Sequence, residues 1–236
     1  MRACLALAVA LLGSVGSRAQ SLTITPLTGN CYVFTTWKEF KGTPFPANGM
    51  YVVTPAGAVL LDMPWDTTQT QPLLDSIAQR HHVKVVMSIS THFHDDRTGA
   101  IPSLKAAGVK TYSSAYTRQL CAEKNEAQAE YTFTTDTTFV VGGVTFETFY
   151  PGKGHAPDNI VVWLPQSEVL YGGCFVKSTD SKGLGNLGDA DVKAWKKSVQ
   201  RVLNRYPHPA YVVPGHESWT DKNAVQHTRQ LLKAAR

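Results

Sequence analysis

The chain has 236 residues, 43% hydrophobic and 17% charged, with 18 glycines and 13 prolines, which excludes disordered, collagen-like and coiled-coil classes and leaves one large domain or two small ones. Its formal charge of +5 owes two units to Arg2 and Arg18, so residues 20–236 hold 21 Lys and Arg against 18 Asp and Glu. A balance of only +3 singles out neither nucleic acid nor membrane as a partner, and neither is expected.

Met1-Arg2, the apolar run 3–12 and the small-residue ending Ser17-Arg18-Ala19 read as a cleaved signal peptide over 1–19. About a dozen apolar residues are too few to span a bilayer as a helix. An exported, periplasmic product is expected, with a single domain over 20–236. Cys4 falls in the leader, so Cys31, Cys121 and Cys174 remain, an odd number that leaves at least one thiol for another task.

Short apolar or β-branched runs at 22–25, 32–35, 50–54 and 58–62 predict strands, the last two joined as a hairpin through Pro55-Ala56-Gly57. Residues 71–80 predict a helix, with Pro72 suited to its first turn and Leu73 and Ile77 on one face. A buried strand over 83–89 leads into Ser90-Thr91-His92. The alternation resumes with strands at 138–141 and 144–150 around Gly142-Gly143, then at 160–164 and 169–171. In the helix predicted over 191–206, Val192, Trp195, Val199, Val202 and Tyr206 make an apolar stripe that reads as core. A short strand at 211–213 and a polar helix at 223–235 complete the chain. No linker separates the halves, so mixed sheets with outer helices are expected.

The strongest chemical signal is Thr91-His92-Phe93-His94-Asp95-Asp96-Arg97. In extended backbone, residues at i, i+2 and i+4 project to one side, so His92, His94 and Asp96 can face one cavity as metal ligands. Two more histidines follow glycines where strands should end, His155 after Gly154 and His216 after Gly215, and Cys174 follows Gly172-Gly173. Four His, one Asp and one Cys suffice for two sites of three protein ligands each. Three ligands leave a coordination position open, the arrangement of catalytic rather than structural zinc. His81 and His82 end a helix, His208 lies between prolines and His227 sits on the polar last helix, so these four read as structural or solvated.

The segments 91–99, 150–159, 172–178, 184–186 and 214–216 together resemble the metallo-β-lactamases of subclass B1 in family order. The resemblance implies an αββα sandwich of the α/β class, two mixed β-sheets with helices on the outer faces and the metals at one edge. It implies two zinc ions, one held by His92, His94 and His155 and the other by Asp96, Cys174 and His216. It further implies that Lys177 binds the carboxylate of a β-lactam, that Asn186 lies near the lactam carbonyl, and that 37–48 forms a mobile flap over the substrate. For the flap residues, and for Trp65, packing within the domain is an equal expectation. Related binuclear hydrolases that cleave thioesters and lactones carry a histidine where Arg97 stands and a bridging Asp where Cys174 stands, and these departures favour the lactamase. The implied function is zinc-dependent hydrolysis of the β-lactam amide by metal-bound hydroxide, with Asp96 orienting the nucleophile, giving antibiotic resistance. A monomer is expected. A non-catalytic zinc-binding export protein is the alternative from another class.

Overall fold

A computed structural model describes residues 22–134 and 136–235; the leader expected at 1–19 lies outside them. β1 (Thr23–Thr28), β2 (Cys31–Phe40), β3 (Thr43–Thr54) and β4 (Gly57–Leu61) form an antiparallel meander, and α1 (Thr70–His81) returns the chain to β5 (Val85–Ile89), which lies parallel to β4. Two short helices, α2 (Asp95–Thr98) and α3 (Ile101–Ala106), lead to β6 (Lys110–Ser114), and α4 (Ala115–Lys124) leads to β7 (Tyr131–Phe133). These seven strands make one sheet in sequential order.

The second half follows the same path. β8 (Thr138–Val141), β9 (Val144–Phe149), β10 (Val161–Leu164) and β11 (Val169–Gly173) form a meander, and α5 (Val192–Arg205) returns the chain to β12 (Tyr211–Pro214), parallel to β11. α6 (Ala224–Ala234) closes the chain beside α5.

Alternation along the strands builds the layers, because successive side chains leave a strand on opposite faces. Val33, Met50, Val59 and Leu61 point between the sheets and meet Phe146, Val162, Val169 and Val213. Their neighbours Phe34, Tyr51 and Leu60 point the other way and pack under Leu73 and Ile77 of α1 and Leu104 of α3. On the opposite outer face Val161, Leu170 and Val212 receive Trp195, Val199 and Val202 of α5 and Leu232 of α6. The order helix, sheet, sheet, helix is the α/β sandwich expected, and the stripe on 191–206 is core as read from its spacing.

Most predicted elements stand within a few residues of their expected bounds, with two differences. The segment 37–48, read as a turn-rich flap, is the distal part of a β2/β3 hairpin paired as far as Phe40 with Thr43. Lys41 and Gly42 supply the positive φ values, 51° and 77°, that a two-residue turn of this hand needs. Such a turn closes on a hydrogen-bonded pair, so Pro44 and Pro46, opposite Glu39 and Trp37, fall at the alternate positions where no N–H is required toward β2. The second difference is the stretch 95–134: Asp96, read as the end of an extended segment from His92, lies instead in the helix α2 that starts at Asp95, and α3, β6, α4 and β7 carry no expectation from the sequence.

Candidate metal centre and cleft

Every candidate ligand stands where a strand ends at one edge of the sandwich. His92, His94 and Asp96 follow β5, Cys174 follows β11, His216 follows β12 and His155 lies between β9 and β10. Carboxyl ends of parallel strands are where open sheets place ligands. Glycine permits the crowding: a Cβ at Gly215 would lie 2.7 Å from the Cys174 nitrogen and 2.8 Å from its sulfur, and one at Gly154 would lie 2.7 Å from the Phe175 ring.

The six side chains converge. Ring centroids of His92, His94 and His155 lie 4.8, 5.2 and 5.0 Å apart pairwise. Cys174 Sγ is 3.4 Å from Asp96 Oδ2 and 3.2 Å from His216 Nε2, and His216 Nε2 is 3.0 Å from Asp96 Oδ2. Among the described residues three overlapping triads bring their donor atoms within 4.8 Å of one another: His92, His94 and Asp96; Asp96, Cys174 and His216; His92, His155 and Cys174.

The outer nitrogens of three histidines fix what the inner ones present. The Thr91 backbone N–H and hydroxyl donate to Asp62 at 2.7 and 2.9 Å, so the Thr91 oxygen accepts from His92 Nδ1 at 3.1 Å. His94 Nε2 donates to Asp189 Oδ2 at 3.1 Å, and His216 Nδ1 donates to the Pro46 carbonyl at 2.8 Å. His92 Nε2, His94 Nδ1 and His216 Nε2 are left as lone pairs aimed at the cluster. Two of them, on His92 and His94, face each other at 3.1 Å, which is repulsive unless a cation lies between. Buried His155 Nδ1 has no hydrogen-bond partner. This donor set, imidazole, thiol and carboxylate with oriented outer nitrogens, fits a borderline-soft divalent ion such as zinc.

Burial depresses the basicity of His92, His155 and His216, aided by His94 at His92 and by Lys177 at His155. Burial opposes ionisation of Asp96, but the Arg97 guanidinium beside it holds its carboxyl well below the usual range. Burial pushes the Cys174 thiol up, only partly offset by Arg97.

A cleft of about 990 Å³ opens at the cluster, lined by Phe40 and Phe45 of the hairpin, by Trp65, by His94, Asp96, His155 and His216, and by Lys177 and Asn186. Trp65 therefore faces the groove, donating from Nε1 to Asp95 at 3.1 Å with its ring 5.7 Å from Phe40. Lys177 is nearly buried, its backbone N–H bonded to Thr228 of α6 at 2.8 Å and its Nζ 5.4 Å from the Trp195 ring. Asn186 borders the cleft while its Oδ1 accepts from the Gly188 N–H at 3.1 Å, a turn contact. The histidines set aside stay outside the cleft: His81 contacts the Tyr51 hydroxyl at 2.9 Å and His227 the Ser181 carbonyl at 2.9 Å.

Four residues that hold the site carried no sequence expectation of that role. Asp62 and Asp189 orient histidines, buried Arg97 pairs with Asp96 at 3.0 Å and Asp62 at 3.4 Å, and the Asn48 amide donates to the Pro214 and Glu217 carbonyls at 3.0 and 2.8 Å. Asp62, ending an apolar strand, offered a faint signal; Asp189 offered none.

An αββα sandwich with a His, Asp and Cys cluster under an open cleft is the architecture of a metal-dependent hydrolase. The sequence pattern of the Metallo-beta-lactamase superfamily matches residues 42–216, and the chain belongs to that family. It is 44% identical over 228 residues to the metallo-beta-lactamase type 2 of Elizabethkingia meningoseptica, covering 97% of this chain and 92% of that one. It is 37% identical to metallo-beta-lactamase IND-1 of Chryseobacterium indologenes, covering 88% and 87%. The structure of a metallo-beta-lactamase from Pontibacter korlensis superposes with a TM-score of 0.87 at 40% identity, over 90% of this chain and 99% of that one. The resemblance drawn from the motifs is borne out.

Proposed function

We propose that this protein is an exported enzyme that hydrolyses the amide bond of β-lactam antibiotics and so confers resistance to them, residues 1–19 serving as a cleaved leader and 20–236 as one periplasmic, monomeric domain. His92, His94 and His155 would hold one zinc ion, and Asp96, Cys174 and His216 the other. The carrying observation is the set of inward lone pairs on His92, His94 and His216, each fixed by an acceptor on the opposite nitrogen.

Zinc in such sites supplies a Lewis acid and brings water to a pKa of about 7. The residues of this chain do the rest. Asp96 turns Oδ2 toward His216 and Cys174 and Oδ1 toward His92, 4.0 Å away, so its carboxylate reaches both ligand sets and orients the attacking water. Lys177 pairs with the substrate carboxylate as a point charge. Asn186, which lines the cleft, would donate to the lactam carbonyl. The aromatic side chains of the hairpin cover the ring and exclude bulk water. The chain contains neither Ser-x-x-Lys nor Gly-x-Ser-x-Gly, so no serine acyl-enzyme route has its apparatus.

The test is loss of the lactam absorbance of a chromogenic cephalosporin by purified protein, with chelator and after zinc is returned. Turnover abolished by chelation and restored by zinc is expected. Turnover that survives complete metal removal, or is absent in protein loaded with two zinc ions, overturns the reading.

A further inference from the structure

The balance of +3 over residues 20–236 conceals an uneven distribution. α5 carries Lys193, Lys196, Lys197, Arg201 and Arg205, α6 carries Arg229 and Lys233, and neither helix contains Asp or Glu. Seven of the 21 Lys and Arg after residue 19 thus share one outer layer, and the other 14 accompany all 18 carboxylates elsewhere. The helices over the opposite sheet mix signs, Asp75 with Arg80 on α1 and Glu123 with Arg118 and Lys124 on α4.

The apolar sides of α5 and α6 are spent on the sheet, so the cations line the solvent side. Between the helices runs a shallow groove of about 420 Å³ walled by Lys196, Lys197, Arg201, Arg229 and Lys233 with no carboxylate. Its cations bond to neutral acceptors: Lys196 to the Ala235 carbonyl at 3.0 Å, Arg201 to the Pro151 carbonyl at 3.0 Å and Arg229 to the Gln200 amide oxygen at 3.4 Å. Of the seven, only Arg205 has a carboxylate partner among the described residues, Asp136 at 3.9 Å. Among the described residues, six of these seven cations therefore have no carboxylate partner.

We infer that the α5/α6 face docks on an anionic phospholipid surface through electrostatics alone. The cations extend along a helix of 14 residues, about 21 Å, and across to its neighbour, a spread that meets many headgroups rather than one phosphate. Neither helix exposes an aromatic ring on which a nucleobase could stack; the exposed large apolar side chains, Phe40, Tyr131, Val140, Leu187 and Tyr211, lie elsewhere among the described residues. With nothing apolar to insert, the contact stays at headgroup level and is sensitive to salt. The groove shares no lining residue with the cleft, so the inference stands whether or not the hydrolase reading does.

Co-sedimentation with vesicles of about 30% phosphatidylglycerol in phosphatidylcholine, against pure phosphatidylcholine, tests it at about 20 and about 300 mM salt. Binding is expected only to the anionic vesicles and mainly at low salt. Each lysine near such a surface is worth about fivefold, so the combined substitution Lys193→Gln, Lys197→Gln and Lys233→Gln should weaken binding about a hundredfold. The combined substitution Lys84→Gln, Lys105→Gln and Lys110→Gln removes the same charge from exposed positions elsewhere and should bind within about twofold of wild type. Far-UV circular dichroism must match in all three proteins. No retention at low salt, equal retention on neutral vesicles, equal loss in both variants, or tighter binding to single-stranded DNA than to the vesicles would overturn the inference.

Discussion

Among single residues, Cys174 would change character most on the proposed metal binding. Burial keeps its thiol protonated in the metal-free protein, so a metal must displace that proton, and affinity at this site weakens as pH falls. A hydroxyl is a poorer zinc ligand than a thiolate, so Cys174→Ser should reduce the tightly held zinc from near two to near one per chain. Metal analysis showing two tightly held ions in that variant would remove Cys174 from the ligand set. Lys177 is proposed to act on substrate instead. If it pairs with the lactam carboxylate, Lys177→Ala forfeits a charge-assisted contact of about 1.5–3 kcal/mol, about ten- to a hundredfold in kcat/KM, with zinc content unchanged. An esterified substrate, which offers no anion, should lose far less, and equal losses on both substrates would assign Lys177 to structure. The six candidate donors could be picked out because His155, Cys174 and His216 stand beside glycine and His92, His94 and Asp96 come just after an apolar run. Asp189 was not, because one acid in a loop of turns has no pattern until folding sets it 3.1 Å from His94.

Among elements, the β2/β3 hairpin couples the cleft wall to the segment that carries three candidate ligands. Lys38 pairs with Asp95 at 3.0 Å, Trp65 donates to the same carboxylate oxygen at 3.1 Å, and Lys38 lies 5.3 Å from the Trp65 ring. Asp95 opens α2, between His94 and Asp96, so the hairpin is tethered one residue from two candidate ligands. The ion pair is exposed and worth no more than about 1 kcal/mol, so Lys38→Ala should raise KM at most about fivefold with kcat preserved. Screening by about 0.5 M salt should raise KM in wild type as well, and by less in the variant, where only the Lys177 pairing is left to screen. A KM indifferent to both changes would mean that the aromatic side chains alone hold the hairpin. Long elements with clear periodicity, α1 and α5 above all, could be read directly, whereas α2 and α3 span four and six residues, too few for a helical stripe to emerge. The hairpin misled for another reason. Prolines argue against a strand in general, and only the pairing register reveals that Pro44 and Pro46 occupy positions needing no donor.

Across the whole molecule, the two sheets are joined at the cleft by charge buried beneath it. Arg97 donates to the Asn48 carbonyl at 2.7 Å and the Gly215 carbonyl at 2.8 Å while pairing with Asp96 and Asp62, so one guanidinium ties β3, α2 and the segment after β12 together. Removing one partner of such a group leaves buried charge uncompensated, and Arg97→Met should cost about 3–5 kcal/mol, read from the denaturant midpoint. Acid acts on the same region in two opposed ways. Burial holds His92, His155 and His216 below the ordinary value of 6.5, so in the metal-free protein the unfolded chain takes up those protons first and stability falls as pH drops below 6.5. Asp62 and Asp158 work the other way: burial pushes both up to about 6 from 3.8, so the folded chain takes up their protons first and gains stability between about pH 6 and 4. Three histidines oppose two carboxyls, each proton counts about 1.4 kcal/mol per pH unit, and the histidines begin to titrate first. The melting temperature of chelated protein should therefore decline from about pH 7.5 to 5.5, and more steeply in Asp158→Asn, which lacks one opposing carboxyl. Zinc competes for the histidine lone pairs, so the stabilisation it gives should shrink over the same interval. A melting temperature that climbs on acidification would show that the buried carboxyls govern the acid response and that the histidines are not held neutral by burial.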